Sequence, residues 1–521
     1  MTLIISWTLL FACADSEPEA PSEPEGELIF VRDGVVAPAG VEAGRPLPGG
    51  RALVSRSWSP GEAISLGGLS GVAPRQAGCV TLFQHELGDV SRLMAMGAEA
   101  PNTTMVFSPD AERLAVGTYL GEVLVLDGWT GQVIARRGLA ETMVKHLAFS
   151  ADGQTLYAAE QSPDAYVHAF AADSLEIRWS LRLADFVETS PAPAAEDIFG
   201  VYTLPAAYGL SALEGGDLLV SALHSWPVDG ERRNRSQVLR VSSTGEIRAR
   251  WPEVPADATF KHPVVDGALV AVIVDRTAAG PAPEGLPIGG VQLLDLETLT
   301  PLASVTTPPL SPWFQSASIW GGLDISESDD ALFMGFIDGR ARLTSLKGEE
   351  RFLRDSGAPI LAGEVPIYAG IGWGLLNGGR ALYVNTSTYI PYGAAAPELR
   401  PPTTHPNENT LWSVGLGGEV DWTWSGEQRP QGLSVSPDGE ALLMGAGNRD
   451  TDDRRDLYGA LLFDLEGGGS GAERLEAFCP TEGPVFFRHA LTDDGRAAVS
   501  EHPYPDGEGG FKGAYRVTVL R

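Results

Sequence analysis

The chain has 521 residues, with 37 Lys and Arg against 68 Asp and Glu, so its formal net charge is −31 at pH 7. Hydrophobic residues make up 43% of the chain, enough to form a large core, which excludes a globally disordered protein. The acidic charge argues against nucleic acid and anionic lipid as partners, because both attract clustered Lys and Arg. At about 100–200 residues per domain the length suggests three domains, unless one large all-β domain contains most of the chain.

The N-terminus has the pattern of an export signal. Residues 3–12 form an apolar run of roughly ten residues, too short for a membrane span but suited to the core of a signal peptide. The ending Leu10-Phe11-Ala12-Cys13 resembles the lipobox of bacterial lipoproteins, in which the Cys becomes the acylated first residue of the mature chain. Phe11 and the lack of a preceding Lys or Arg depart from that pattern, so an ordinary secretory signal with an incidental Cys is the alternative.

Residues 14–27 consist mainly of Pro, Glu and small residues, a composition that stays extended and buries nothing. The predicted order is therefore a signal peptide in residues 1–13, an acidic tether in residues 14–27 and a folded body in residues 28–521. This order predicts an outer-membrane lipoprotein that faces the periplasm or the cell surface and touches the membrane only through its N-terminal lipid.

Two cysteines remain in the folded body, Cys79 and Cys479. In an oxidising compartment such a pair favours a disulfide, and two buried free thiols are the alternative. There is no CxxC motif and no adjacent pair of cysteines.

Internal repeats are the strongest pattern in the body. A turn of the Ser-x-Asp type precedes an alternating apolar strand in segments that begin at Phe107, Phe149 and Val435. Looser copies begin at Trp58, Ile325 and Leu491, and turn-strand segments without the Ser-x-Asp core lie at Leu210, Val264 and Trp373. In such turns Pro presets φ, Asp bonds its own backbone and Gly accepts positive φ, so each copy predicts a chain reversal between two strands.

Each unit continues with a third strand, a second turn and a fourth strand, which is the pattern of a β-propeller blade. The Ser-Pro-Asp-Gly turns and the closing Asp127-Gly-Trp-Thr-Gly131 resemble WD repeats, and the spacing from Gly418 to Trp422 resembles PQQ-type repeats. The Trp-Asp dipeptide itself is missing from the expected positions. The resemblance extends from about residue 50 to the end, and it implies an all-β fold, a single propeller of four-stranded antiparallel blades.

Unit starts near residues 107, 149, 210, 264, 325, 373, 435 and 491 favour eight blades, with seven as the alternative. The last unit has three clear strands. Propellers commonly complete the final blade with an N-terminal strand, so part of residues 28–97 is expected there. A bridge between Cys79 and Cys479 would then lock the closure.

A metal site is the first functional hypothesis. The loop of residues 448–456 carries Asp450, Asp452, Asp453 and Asp456, and oxygen-rich loops bind Ca²⁺. Three Arg in the same loop favour a self-paired solvated loop instead, and no other cofactor is expected.

Among the eight His, His146, His262 and His489 lie where strands near the propeller axis are expected, and the ordinary interpretation is that they are core or capping residues.

Hydrolase and phosphate-loop motifs are absent from the sequence. The long segments between strands, which include Tyr389, Ile390 and Tyr392 in an aromatic Pro-rich stretch, are better candidates for binding. The five longest comprise residues 186–202, 226–235, 278–289, 389–408 and 503–513.

Together these patterns favour a monomeric, exported, lipid-anchored propeller that binds a protein or an envelope component, in layout similar to bacterial propeller lipoproteins. Given the acidic charge, a charged partner is expected to be basic. A propeller enzyme is the alternative, either a quinoprotein-type oxidoreductase or a cation-dependent lactonase-like hydrolase, and a structural surface protein is the third hypothesis.

Overall fold

The fold is described from a computed structural model. It describes residues 79–91, 94, 103–139, 143–190, 200–228, 231–276, 283–308, 319–362, 365–389, 404–447, 455–506 and 508–521. The predicted signal peptide and tether, the copy at Trp58 and most of residues 28–97 lie outside these ranges. No helix among the described residues is long and apolar enough to span a membrane.

Backbone pairing arranges the described strands as four four-stranded sheets, one eight-stranded sheet, one nine-stranded sheet and a two-stranded hairpin. We divide them into eight antiparallel four-stranded units, numbered as blades 1 to 8 in chain order. Blade 1 comprises β2 (Thr104–Phe107), β3 (Arg113–Gly117), β4 (Glu122–Asp127) and β5 (Val133–Gly138). Blade 2 comprises β6 (Met143–Phe149), β7 (Thr155–Gln161), β8 (Tyr166–Ala171) and β9 (Ile177–Arg182). Blade 3 comprises β10 (Ala206–Ala212), β11 (Leu218–Val228), β12 (Glu231–Val241) and β13 (Ile247–Ala256). Blade 4 comprises β14 (Thr259–Asp266), β15 (Leu269–Asp275), β16 (Gly290–Asp295) and β17 (Pro301–Thr306).

The second half of the chain repeats this order. Blade 5 comprises β18 (Ile319–Ser326), β19 (Ala331–Phe336), β20 (Arg340–Thr344) and β21 (Glu350–Asp355). Blade 6 comprises β23 (Val365–Asn377), β24 (Arg380–Tyr389), β25 (Thr410–Gly415) and β26 (Val420–Ser425), with the short β22 (Ile360–Ala362) paired to β23. Blade 7 comprises β27 (Pro430–Val435), β28 (Ala441–Ala446), β29 (Gly459–Asp464) and β30 (Leu475–Pro480). Two four-residue helices, Ala184–Val187 and Gly471–Arg474, lie between strands.

Blade 8 combines the two ends of the described chain. Its strands are β31 (Ala490–Leu491), β32 (Ala497–Glu501), β35 (Arg516–Leu520) and β1 (Thr81–Glu86), and the hairpin of β33 (Tyr504–Pro505) and β34 (Phe511–Lys512) extends from it. The N-terminal strand β1 pairs antiparallel with β35 and forms the outer edge of the blade. An N-terminal strand thus completes the last blade, so the ring closes through backbone hydrogen bonds.

The blades form a closed ring. The first strand of each blade contacts the first strand of the next, and the first strand of blade 8 contacts that of blade 1. Eight apolar clusters fill the spaces between successive blades, including the space between blades 8 and 1. The core is therefore a circle of interfaces, and the predicted β-propeller fold class is confirmed.

Burial along each blade explains why these residues form strands. Every residue of the second strand Ala331–Phe336 is buried, because neighbouring blades cover both of its faces. The outer strand Val133–Gly138 instead alternates between exposed and half-buried residues. The continuous apolar runs of the sequence therefore form the buried second and third strands of a blade. The alternating runs form its outer edge strands.

The predicted Ser-x-Asp turns have the expected chemistry. The amide of Ala111 donates to the carbonyl of Ser108 at 2.7 Å, and the amide of Arg113 donates to Ser108 Oγ at 3.0 Å. Asp110 Oδ1 accepts from the amide of Glu112 at 3.1 Å. Equivalent bonds recur at Ser150, Ser436 and Thr492. Each turn satisfies its own backbone, so these connections stay short.

Candidate functional site

The two faces of the ring differ in the length of their connections. Because strands alternate in direction within a blade, the turns from first to second and from third to fourth strand lie on one face, which we call the turn face. The connections from second to third strand and from one blade to the next lie on the other, the loop face. The strands that flank all five long insertions end at the loop face, although residues 226–235 are mostly the extended tip of the β11–β12 hairpin.

The first strands of the blades carry irregularities near the loop face. Register shifts occur in the pairing of the first strand in blades 2, 3, 4, 5, 6 and 7. Such bulges re-aim side chains and are common next to functional sites. In blade 2 the shift lies between Val144 and His146, and in blade 4 between Lys261 and Val264. Basic side chains therefore lie at or beside the irregular positions of both strands.

Five basic residues from three blades lie close together near the axis of the ring, and we call them the central basic cluster. Its members are Lys145 and His146 of blade 2, Lys261 and His262 of blade 4, and Arg488, which precedes the first strand of blade 8. In a ring of eight units, blades 4 and 8 lie opposite each other and blade 2 lies a quarter turn from both. Side chains from these blades meet only near the axis, and the Arg488 guanidinium lies 3.4 Å from His146 Nε2.

Tyrosine rings surround the ammonium group of Lys145. Its Nζ atom lies 4.9 Å from the centroid of the Tyr208 ring and 5.7 Å from that of Tyr202. It also donates to Gln161 Oε1 at 3.3 Å. Aromatic and buried surroundings disfavour the charged form of an ammonium group. Burial, with a smaller contribution from the positive charge of Arg488, therefore lowers the pKa of Lys145 to about 7.

The remaining members divide into neutral and charged groups. Burial lowers the pKa of His262 to about 3 and that of His146 well below its usual value, and nearby positive charges add to both shifts. Both imidazoles are therefore neutral at pH 7. Burial lowers the pKa of Arg488 to about 10, so the guanidinium stays charged. Burial also lowers the pKa of Lys261, and the Asp275 carboxylate partly opposes that shift.

The third predicted axial histidine lies away from this cluster. His489 is buried between blades 7 and 8, where its Nε2 atom lies 2.7 Å from the carbonyl oxygen of Gln431. The cations of the cluster were not singled out from the sequence. A sequence pattern does mark these cations. A basic residue directly precedes a histidine at the first strand of three repeats, in Lys145-His146, Lys261-His262 and Arg488-His489.

The proposed Ca²⁺ loop lies mostly outside the described residues. Asp450, Asp452 and Asp453 fall in the undescribed part, whereas Asp456 lies in the 3₁₀ turn Arg455–Leu457. Within the described ranges, no group of three or more His, Cys, Asp or Glu side chains is arranged to hold a metal ion. The calcium site therefore stays a prediction.

The other candidate residues occupy separate parts of the chain. Cys13 lies outside the described residues. Tyr389 is the last residue of β24, and Ile390 and Tyr392 lie outside the described ranges. Cys79 and Cys479 lie side by side, with Cα atoms 5.2 Å apart and their sulfur atoms at bonding distance, at the junction of blades 7 and 8.

The loop face also contains an open groove of about 730 Å³ between blades 2, 3 and 4. Its apolar wall includes Phe186, Pro283 and Val254, whose side chain is 74% exposed. Its polar wall includes Arg235 and Glu188, which form an ion pair of 3.1 Å. This combination of exposed apolar surface and a charged rim is typical of a protein contact surface.

No protein-family model matches the sequence, and no curated protein matches it. Among solved structures, the computationally designed Ika8 protein has a TM-score of 0.50 and 14% identity, covering 81% of this chain and 97% of its own. The C-terminal WD40 domain of Sif2 has a TM-score of 0.49 and 10% identity, covering 85% and 98%. BamB from Moraxella catarrhalis has a TM-score of 0.39 and 12% identity, covering 66% and 79%. At these identities the likeness concerns the fold, and the chain has the fold of a β-propeller.

Proposed function

We propose that the protein is an exported, lipid-anchored binding scaffold of the cell envelope whose loop face is its binding surface. The observation that carries this proposal is the position of the long insertions: they share one face of the ring with the central basic cluster and the open groove. Binding residues commonly lie on loops held by a rigid scaffold.

The closed ring supports this role. Eight apolar interfaces and the pairing of β1 with β35 hold the blades together, so the strand ends that carry the insertions keep fixed positions relative to one another. A preorganised scaffold lowers the conformational cost of binding a partner. An acidic ring with long insertions at one face thus suits a protein partner, and a basic surface on that partner would complement the outer charge.

Export and anchoring rest on the apolar run, Cys13 and the acidic tether. The tether of residues 14–27 would hold the ring away from the membrane surface, and its charge would keep it extended. The membrane contact would then be the lipid alone, which leaves the loop face open to a partner.

The binding surface is testable with two matched substitutions. Val254→Asp places a charge in the groove of the loop face, whereas Val133→Asp places one on an exposed outer strand next to the turn face. We expect a partner captured from envelope extract by the wild-type protein to be retained by Val133→Asp and lost with Val254→Asp. Loss from both variants, or from Val133→Asp alone, would contradict the assignment of the loop face.

A further inference from the structure

Within the described part of the chain, Arg488 lacks the carboxylate partner that three other buried or half-buried arginines have, and it also lacks the two backbone carbonyl acceptors that hold the buried Arg474. Arg496 pairs with Asp494 at 3.0 Å, and Arg516 pairs with Glu501 at 2.9 Å. Arg276 similarly pairs with Asp257 at 3.0 Å. In each case a carboxylate compensates a guanidinium that has left water, which is the usual requirement for burying a charge.

Among the described residues, Arg488 has no such carboxylate. Its one hydrogen-bond contact there is the 3.4 Å approach to His146 Nε2. A guanidinium carries five donors in a planar fork, so most of its donors remain available. Arg488 is half-buried, and none of its nitrogen atoms is both fully buried and without a hydrogen-bond partner, so the remaining donors keep some access to solvent.

The Asp275 carboxylate acts on Lys261, whereas the charged groups that act on Lys145, His146 and His262 are positive. The positive charges of Lys145 and Arg488 repel each other. The positive charges of Lys145, Lys261 and Arg488 also lower the pKa of His262. The blades of a propeller surround a central channel along the ring axis, and low-dielectric walls strengthen such a field at the mouth of a channel. This concentration of positive charge lies in a protein whose net charge is −31, so it is a local feature of the axis and not a property of the whole surface.

We propose that the central basic cluster binds an anionic oxygen group, a carboxylate or a phosphate, that enters the channel from the loop face. Arg488 provides the planar donor fork that binds two oxygens of one group, and Lys145 and Lys261 provide further charge. This inference deepens the proposed scaffold function by naming the chemistry of the bound group. The acidic exterior repels long polyanions such as nucleic acids, so the group belongs to a free small anion or to a short acidic segment of a partner.

Isothermal titration at constant ionic strength tests the site without any partner. The probes are inorganic phosphate, succinate and a hexaglutamate peptide, each added to the wild-type protein and to Arg488→Gln. We expect saturable binding of at least one probe, weakened about tenfold or more in Arg488→Gln because charge-assisted hydrogen bonds are lost. Arg178→Gln, on an exposed outer strand beside the turn face, is the matched control and should bind as the wild type does.

The probes distinguish the two sources of the group. Binding of phosphate or succinate without the peptide identifies a free small anion, and binding of the peptide identifies an acidic segment of a partner. If Arg488→Gln unfolds, Lys145→Met replaces it and should weaken the same probe. The proposal is wrong if no probe binds saturably, or if Arg178→Gln and Arg488→Gln have equal effects. Such a result would leave the groove test with Val254→Asp unaffected, because that test measures partner capture at another position.

Discussion

Lys145 Nζ lies 4.9 Å from the centroid of the Tyr208 ring, on the inner strand of the neighbouring blade. Burial lowers the pKa of this ammonium group to about 7, so the charged form is disfavoured in the folded protein. Such a residue stabilises the fold less than an apolar one of the same length would. This cost to stability fits the proposed role of Lys145 in binding an anion.

The substitution Lys145→Met should raise the free energy of unfolding by about 1–3 kcal/mol at pH 6, because it removes a buried charge and keeps the volume. The titratable and charged groups near the ammonium are Arg488, His146, His262, Tyr202 and Tyr208. Urea denaturation of both proteins measures the difference.

The pH dependence of that difference has a definite sign. Lys145 has a folded-state pKa of about 7, below its usual value of 10.5, so between these pH values the unfolded chain binds the extra proton. The stability of the wild type therefore rises with pH in this window, and the advantage of Lys145→Met shrinks from pH 7 upward. Lys347→Met, at an exposed turn, should give no such trend. An advantage that grows with pH would contradict the buried-charge interpretation.

Cys79 and Cys479 should form a disulfide when the protein folds under oxidising conditions. Peptide mapping by mass spectrometry without reduction should find the two cysteines in one linked species. The double substitution to Ser should lower the free energy of unfolding by about 2–4 kcal/mol, since the bridge constrains a loop of 400 residues in the unfolded chain. Rapid labelling of both thiols in the native, unreduced protein would show that the bridge is absent.

A chain that ends at Lys512 should lose the cooperative unfolding of the whole ring. The deletion removes β35, which lies between β32 and β1, so the N-terminal strand has no partner left in blade 8. Circular dichroism melting and limited proteolysis would follow the effect. A chain that ends at Leu520 keeps the strand and is the control. Retention of a native-like melting transition in the shorter chain would argue that blades 1 to 7 are stable as an open ring.

The substitution Cys13→Ser should move the protein from the membrane fraction to the soluble fraction of the envelope, because a thioether-linked lipid requires the Cys sulfur. Detergent partitioning of the wild type and the variant measures the change. Cys79→Ser serves as the control for a cysteine outside the signal. Unchanged membrane retention of Cys13→Ser would contradict the lipid anchor.

Much of the fold was predictable because its determinants are local. The hydroxyl of Ser108 and the carboxylate of Asp110 organise one turn within a few residues, and the same pattern marks other blades. The predicted unit starts at Phe107, Phe149 and Val435 are the last residues of first strands, so the repeat boundaries follow the strands closely. Local turn chemistry and strand alternation were enough to identify a propeller.

The candidate site was not predictable in the same way. The sequence pointed to His146 and His262 as axial residues, yet it did not identify Lys145, Lys261 or Arg488 as their neighbours. His146 and Arg488 are 342 residues apart, and no pattern within one repeat connects them. Their proximity depends on how many blades separate them and on the closure of the ring.

The sequence by itself determined an acidic all-β protein of repeated four-stranded units with long insertions at particular connections, because turns and strands depend on neighbouring residues. The tertiary structure decided which residues share the axis and which connections share a face. Ring closure brings blades 2, 4 and 8 around one channel, where like charges from distant repeats interact through a low-dielectric interior. The net charge of −31 is that of the whole chain, whereas the members of the central basic cluster lie together only because the ring closes.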